Sequence, residues 1–396
     1  MVNPALLHSE VQQFIRSYNE ELSVLAFKGS PFEGISVQEL LIQIEGFRKT
    51  KLKLPHWHTT PGIYFPPKLN LEQTSSEITA RYKAALVAGD AMADLTGGLG
   101  VDTFYLAKRF KHVAYFEQNE QLSEIANHNF EQMGVTNIEA HHGDGLQGIA
   151  NSHYDVIYMD PARRHESKGK VFFLKDCEPN VVEHMDYLMA RCDTLLLKTS
   201  PMLDISAGII ELQAVNELHI IALENEVKEL VWVIRKESKP SFQVRTINIT
   251  KNGIQKFDFK YHHEGQAQFG LPNAFLYEPN AALMKAGAFS LLSEAFELDK
   301  LHLHSHLYTS AMLIDFPGRR FTIKEVIPYQ KGVMRDRLLG QKAHITTRNF
   351  PESVASLRKK WKIKEGGSIY LFFTTQGDNT RIVLICSKIK ASILRE

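Results

Sequence analysis

The sequence predicts an α/β protein: a parallel sheet covered on both faces by helices, then a smaller, basic α+β module. Three observations predict it. Strand-like and helix-like segments alternate from about residue 90. A glycine-rich turn joins the first of those strands to the first helix. Charge is also divided unevenly, with 17 Lys/Arg against 6 Asp/Glu from Arg319 to Glu396 and 29 against 39 before it.

Residues 1–80 form a helical region. Val11, Phe14, Ile15 and Tyr18 recur at helical spacing, as do Leu40, Leu41, Ile44 and Phe47. Prolines at 55, 61, 66 and 67 then break the period. Thr74-Ser-Ser-Glu77 matches a capping box and starts a helix through Arg81, Tyr82 and Lys83. Residues 81–238 carry the alternating core. Its expected strands are Ala91–Thr96, His112–Glu117, Ile138–His142, Tyr154–Met159 and Thr194–Lys198, with helices near 101–110, 119–133 and 178–191. Paired strands Glu217–Leu223 and Glu229–Arg235 close it, and a boundary falls near Ser238. A hairpin connection occupies 239–276 and a small mixed segment 277–324. The basic module, 325–396, is expected to run strand, helix, Gly-Gly turn, strand, with a stripe of Arg358, Lys359, Lys360, Lys362 and Lys364.

Composition excludes several classes. The chain of 396 residues is 44% apolar and 23% charged, ordinary for a soluble globular protein. No run approaches the ~18 apolar residues that a bilayer span requires. The opening MVNPALLHSEVQQF is not a secretory signal. Cys177, Cys192 and Cys386 are scattered, which argues for a reducing, cytoplasmic setting without a disulfide framework or zinc cluster. A basic tail on an acidic body suits an anionic partner, nucleic acid above all, although a solvated charged face explains the composition equally well.

The segment "ADLTGGLGVDTFYLA" (93–107) places Gly97, Gly98 and Gly100 between strand and helix, where the backbone can turn tightly and approach a ligand. Thr103 stands where a dinucleotide fingerprint would have its third glycine, which disfavours an NAD-dependent oxidoreductase. Acids recur at successive strand ends: Asp94, Glu117, Asp144 and Asp160. In a parallel sheet these share the carboxyl edge, where ligands bind. Residues 90–236 thereby resemble class I S-adenosylmethionine-dependent methyltransferases. The resemblance implies S-adenosyl-L-methionine as cofactor, bound by Asp94, Gly97, Gly98, Gly100, Glu117 and Asp144.

The fourth strand runs into "YMDPARRHE" (158–166). Asp160-Pro161 is similar to the start of the catalytic tetrapeptide of amino methyltransferases, where acid and backbone carbonyl orient a target amino group and an aromatic ring stacks on the base. Ala162 and Arg163 depart from that pattern. Arg163 and Arg164 can instead stack on a base or grip phosphate, or form an exposed ion pair with Glu166 or Asp176. Lys198 follows as a further substrate contact, with a water-exposed strand-end lysine as the even alternative. No cysteine follows the fifth strand, as carbon methylation of a pyrimidine would need. The spacing His302-x-His304-x-His306 would put three imidazoles on one face of a strand, but no fourth ligand lies nearby and no metal is expected.

Together with "EQTSSEITARYKA", "SPMLD", "YEPNAALMKAG" and "FPGRRF", these motifs resemble a bacterial methyltransferase family with a THUMP-like C-terminal domain. That resemblance covers nearly the whole chain. It implies a Rossmann-like class I sheet, an N-terminal helical region, a ferredoxin-like segment at 277–324 and a small α+β THUMP-like domain at 325–396. The expected partner is RNA, tRNA or rRNA, methylated at a base nitrogen, with no membrane and no obligate protein partner. The rival expectations are a non-catalytic RNA-binding protein on this fold, and a methyltransferase acting on protein or small molecule.

Overall fold

The structure is a computed structural model that describes residues 2–163, 173–236 and 241–389. The expected boundary at Ser238 and the expected substrate residue Arg164 lie outside the described residues. The chain divides into two compact units, residues 1–217 with 230–240 and residues 218–229 with 241–396.

In the first unit the parallel strands are Ala91–Asp94, His112–Glu117, Ile138–His142, Tyr154–Met159 and Cys192–Thr199, numbered first to fifth below. The first strand pairs with the second on one side and the fourth on the other. The second pairs with the third and the fourth with the fifth, all parallel. Glu226–Arg235 then pairs antiparallel with the fifth. The strand order therefore reverses between the first and fourth strands, and such a switch point opens a crevice at the carboxyl ends. These strands read as apolar runs because both faces are covered: Ile157, Tyr158, Leu195, Leu196 and Leu197 are buried. Helices Val101–Ala107 and Glu120–Gln132 occupy the expected places, whereas the third shortens to Met185–Met189.

Two local expectations fail for identifiable reasons. The helix expected to be capped by Thr74 spans Glu77–Ala84 and is capped by Ser76, whose hydroxyl accepts from the Thr79 N–H. Glu77 is released from capping: it accepts from the His56 N–H at 3.0 Å and pairs with Arg81. The triple-histidine segment is a turn rather than a strand. His306 adopts φ +51°, and its ring stacks on Phe289.

In the second unit, strands Gln243–Thr250 and Gly253–Lys260 form the expected hairpin. Phe275–Pro279 pairs with Tyr308–Ser310 and Gly318–Pro328, the latter with Thr380–Lys388, and that strand with Lys364–Gln376. Lys342–Arg348 joins Lys364–Gln376 in parallel, so helix Val354–Trp361 is a crossover. Leu357 and Trp361 pack on Leu371, Phe373 and Val383. The expected Gly-Gly turn is a bulge instead: the strand runs through Gly366 and Gly367, and the parallel register shifts there. The basic stripe is partly spent on the fold. Arg358 donates to the Ala343 and Ile363 carbonyls, and Lys360 pairs with Glu352 at 3.0 Å.

Candidate active site

The carboxyl ends of the first, second and fourth strands converge on the glycine-rich turn. Asp94 ends the first strand and is 1% exposed. Its Oδ1 accepts from the Thr96 N–H at 3.0 Å and its Oδ2 from the Thr103 hydroxyl at 2.6 Å. Burial, the larger cause, and the neighbouring Asp102 and Asp160 carboxylates push its carboxyl up to about 7. No cation pairs with Asp94 among the described residues. The threonine at the missing-glycine position is thus a structural donor, and it holds this acid in place.

Gly97 faces the Tyr115 ring so closely that a Cβ would overlap it, so only glycine lets the second strand pack there. Gly98 donates its N–H to Glu117 Oε2 at 2.8 Å, and its carbonyl accepts from the Tyr115 hydroxyl at 2.5 Å. Gly100 enters the helix with φ +76°, beside the Phe130 ring. Glu117 Oε1 also accepts from the Asn119 N–H at 2.8 Å. Its carboxylate therefore ties the turn to the start of the next helix and keeps lone pairs for further donors. Asp144 caps the short helix Gly145–Gly148, accepting from the Leu146 N–H at 2.8 Å, while its second oxygen lies 3.4 Å from the Gln118 amide.

Asp160 stands at the switch point. Its N–H donates to the Thr96 hydroxyl at 2.6 Å, so one threonine links the Asp94 carboxylate to the Asp160 backbone. The Lys198 ammonium, at the end of the fifth strand and nearly buried, pairs with Asp160 Oδ2. Pro161 is buried, and Ala162–Arg163 forms a short antiparallel ladder with Cys177–Glu178 that fixes the backbone after the acid. The structure brings Asp94, Gly97, Gly98, Glu117, Asp160 and Lys198 around one edge. The Arg163 side chain is outside what is described.

Sequence reasoning missed a buried charge cluster behind this edge. Lys83, fully buried, lies 3.0 Å from Asp102. Ser75 and Tyr158 each donate a hydroxyl to Asp102 Oδ2 at 2.7 Å. Burial works to raise the Asp102 carboxyl, but the Lys83 and Lys198 charges and these hydroxyls hold it below the usual carboxylate range. One signal was available: Lys83 falls at i+3 from buried Ala80, on the apolar stripe of its helix.

Residues 63–166 match the protein-L-isoaspartate(D-aspartate) O-methyltransferase family, 275–317 a ferredoxin-like domain and 318–388 a THUMP domain-like module. The crystal structure of a provisionally named methyltransferase from Porphyromonas gingivalis W83 is 31% identical. It covers 98% of this chain and 100% of that one, with a TM-score of 0.89. An uncharacterised RNA methyltransferase of Mycoplasma mobile is 28% identical over 159 residues, which is 38% of this chain and 42% of that protein, so the chain spans less than half of that relative. The Pyrococcus abyssi tRNA (uracil-54, C5)-methyltransferase in complex with S-adenosyl-L-homocysteine is 21% identical. That match covers 44% of this chain and 40% of the other, at a TM-score of 0.31. No helix among the described residues is long and apolar enough to cross a membrane.

Proposed function

The chain belongs to the S-adenosylmethionine-dependent methyltransferases with a THUMP-like C-terminal domain, and we propose that its acceptor is a base nitrogen of structured RNA, tRNA or rRNA, modified in the cytoplasm. The observation that carries the proposal is the edge where Asp94, Glu117 and Asp160 meet the glycine turn, with Asp160 tethered to the first strand through Thr96. The residues fit the cofactor. Asp94, buried and with no cation beside it among the described residues, suits the ammonium of a methionine moiety. Glu117 suits ribose hydroxyls, and Asp144 suits an adenine amino group. When bound, S-adenosylmethionine supplies an activated methyl group.

What the protein itself contributes is then positioning. Asp160 and the Pro161 carbonyl orient the acceptor nitrogen toward the donor. Lys198 holds the Asp160 carboxyl in place until the acceptor competes for the same oxygen. Released from it, the ammonium can turn to a nearby phosphate. The Mycoplasma relative supports RNA as substrate, as do the THUMP-like module and the excess of Lys/Arg over Asp/Glu beyond residue 318. Arg163 and Arg164 belong to the same proposal, gripping the RNA by charge or by guanidinium stacking in place of an aromatic ring.

Comparative nucleoside mass spectrometry of RNA, from cells with and without the gene, tests the proposal. One methylated nucleoside should vanish without the gene and return with the intact gene. A plasmid carrying Asp160→Ala should restore it about a hundredfold less well, a loss typical of removing one positioning group in a transition state. An unchanged nucleoside profile would leave a protein or small-molecule acceptor, or a non-catalytic RNA-binding protein.

A further inference from the structure

We propose that a cleft in the second unit is a nucleotide-binding subsite that seats an RNA phosphate on Arg381 and the attached base or ribose on Phe350 and Pro351. It rests on the RNA reading above and names residues of the second unit that would hold that RNA. The cleft, of about 490 Å³, is lined by Asn349, Phe350, Pro351, Thr375, Asn379 and Arg381. That volume is within the range of small-ligand sites, roughly 300–1,000 Å³.

Its walls are built and tied. Asn349 follows strand Lys342–Arg348 with φ +50°, and Asn379 lies in the turn before Thr380–Lys388 with φ +66°. Asparagine is among the residues that tolerate this left-handed conformation. The Thr375 hydroxyl donates to the Asn349 carbonyl at 2.6 Å and joins the two walls. Just before the cleft, Arg348 is anchored on buried Glu278 at 2.9 Å, and the same carboxylate accepts from Arg319 at 2.6 Å. The Phe350 ring is held edge-on against Tyr329 and Phe373, so an apolar floor is fixed in place.

The lining chemistry selects for a nucleotide. No carboxylate is among the lining residues. Glu352, whose field reaches Arg381, is already held by the Lys360 ammonium and the Tyr329 hydroxyl. Asp378, on the same turn as Asn379, is exposed and outside the lining. Arg381 is exposed and has no carboxylate partner among the described residues, so its fork is available to a phosphate. The Asn379 amide can donate and accept at a base edge. Asn349, whose Nδ2 lies 3.0 Å from the His302 ring nitrogen, keeps its amide oxygen as an acceptor. A fixed ring suits stacking, and together these make the combination used for unpaired nucleotides. The basic helix is a weaker candidate, since Arg358 and Lys360 are committed to the fold.

The test uses the full-length protein and a fluorescein-labelled single-stranded RNA 12-mer of mixed sequence, with anisotropy measured across a salt series. Wild type should bind with an affinity that falls as salt rises. Arg381→Ala should weaken binding about fivefold to tenfold and reduce the slope of log affinity against log salt by roughly 0.7, one phosphate contact on a single strand. Arg381→Lys should keep the slope. Both variants should keep the wild-type thermal midpoint, because the side chain is exposed. Wild-type affinity and slope in Arg381→Ala overturn the subsite while leaving the RNA reading standing. Equal competition by poly-glutamate also overturns it, in favour of acidic protein. If wild type binds no RNA, the substrate reading itself falls.

Discussion

The two units weight charge differently. In the first, charges around the candidate site are buried or half-buried within the fold. Lys83 and Asp102 lie behind the edge, Lys198 pairs with Asp160, and buried Asp94 accepts from neutral donors, the Thr96 N–H and the Thr103 hydroxyl. In the second, Glu278 is buried between Arg319 and Arg348, but much of the charge is at the surface, as with Lys359, Lys360, Lys364 and Arg381. A buried charge exacts a geometry, because losing its partner leaves it desolvated and alone. A surface charge exacts almost nothing and can be offered to a partner. The proposed positioning role thus falls on the acidic edge and the proposed docking role on the basic unit, although raw composition shows only that one end is more basic.

Single substitutions can break or sharpen that contrast. The largest effect is expected at the buried pair. Lys83→Met strands Asp102 and should cost about 3–5 kcal/mol in urea unfolding, with restoration when Asp102 is also made apolar. A loss below about 1 kcal/mol would mean that the cluster is hydrated, and the contrast between units would fail.

A smaller, pH-dependent effect is expected at Asp94. Its folded-state carboxyl is raised to about 7 from a usual value of 3.8. The folded protein therefore holds a proton that the unfolded chain releases, and the stability this contributes is complete at low pH and lost as pH rises through about 7. Wild type should lose stability relative to Asp94→Asn as pH rises toward neutrality, by up to about 1.4 kcal/mol per pH unit. Burial is the main cause of the raised value, opposed by the hydrogen bonds from Thr103 and Thr96 and reinforced by the Asp102 and Asp160 charges. Parallel pH profiles for the two proteins would show that Asp94 is ionised and solvated. The smallest effect belongs to the second unit. Lys360→Ala removes an exposed pair with Glu352 and should change stability by less than about 1 kcal/mol.

Much of the site was legible because it depends on short stretches. The turn after the first strand needs glycine for local reasons, and acids at strand ends fall on one edge whenever the strands are parallel. Thr103 shows the limit. As a motif position it was a missing glycine; in the fold it is the donor that holds Asp94. Lys198 was balanced between solvent and substrate, and its actual partner is Asp160 on the adjacent strand. The capping box misplaced its cap because Ser76 competes locally with Thr74, and Glu77 found a tertiary partner in the His56 backbone.

By itself, the sequence determined the α/β rhythm, the glycine turn, the order of acids along the chain and the excess of positive charge at its end. These follow from periodicity and local backbone chemistry, which a few neighbouring residues encode. Only the tertiary structure decided which charges meet: Lys83 with Asp102, Lys198 with Asp160, Arg348 and Arg319 with Glu278. Those meetings depend on strand order and packing between distant segments, and a charged side chain reveals whether it is a surface ornament or a buried clamp only once its surroundings have closed around it.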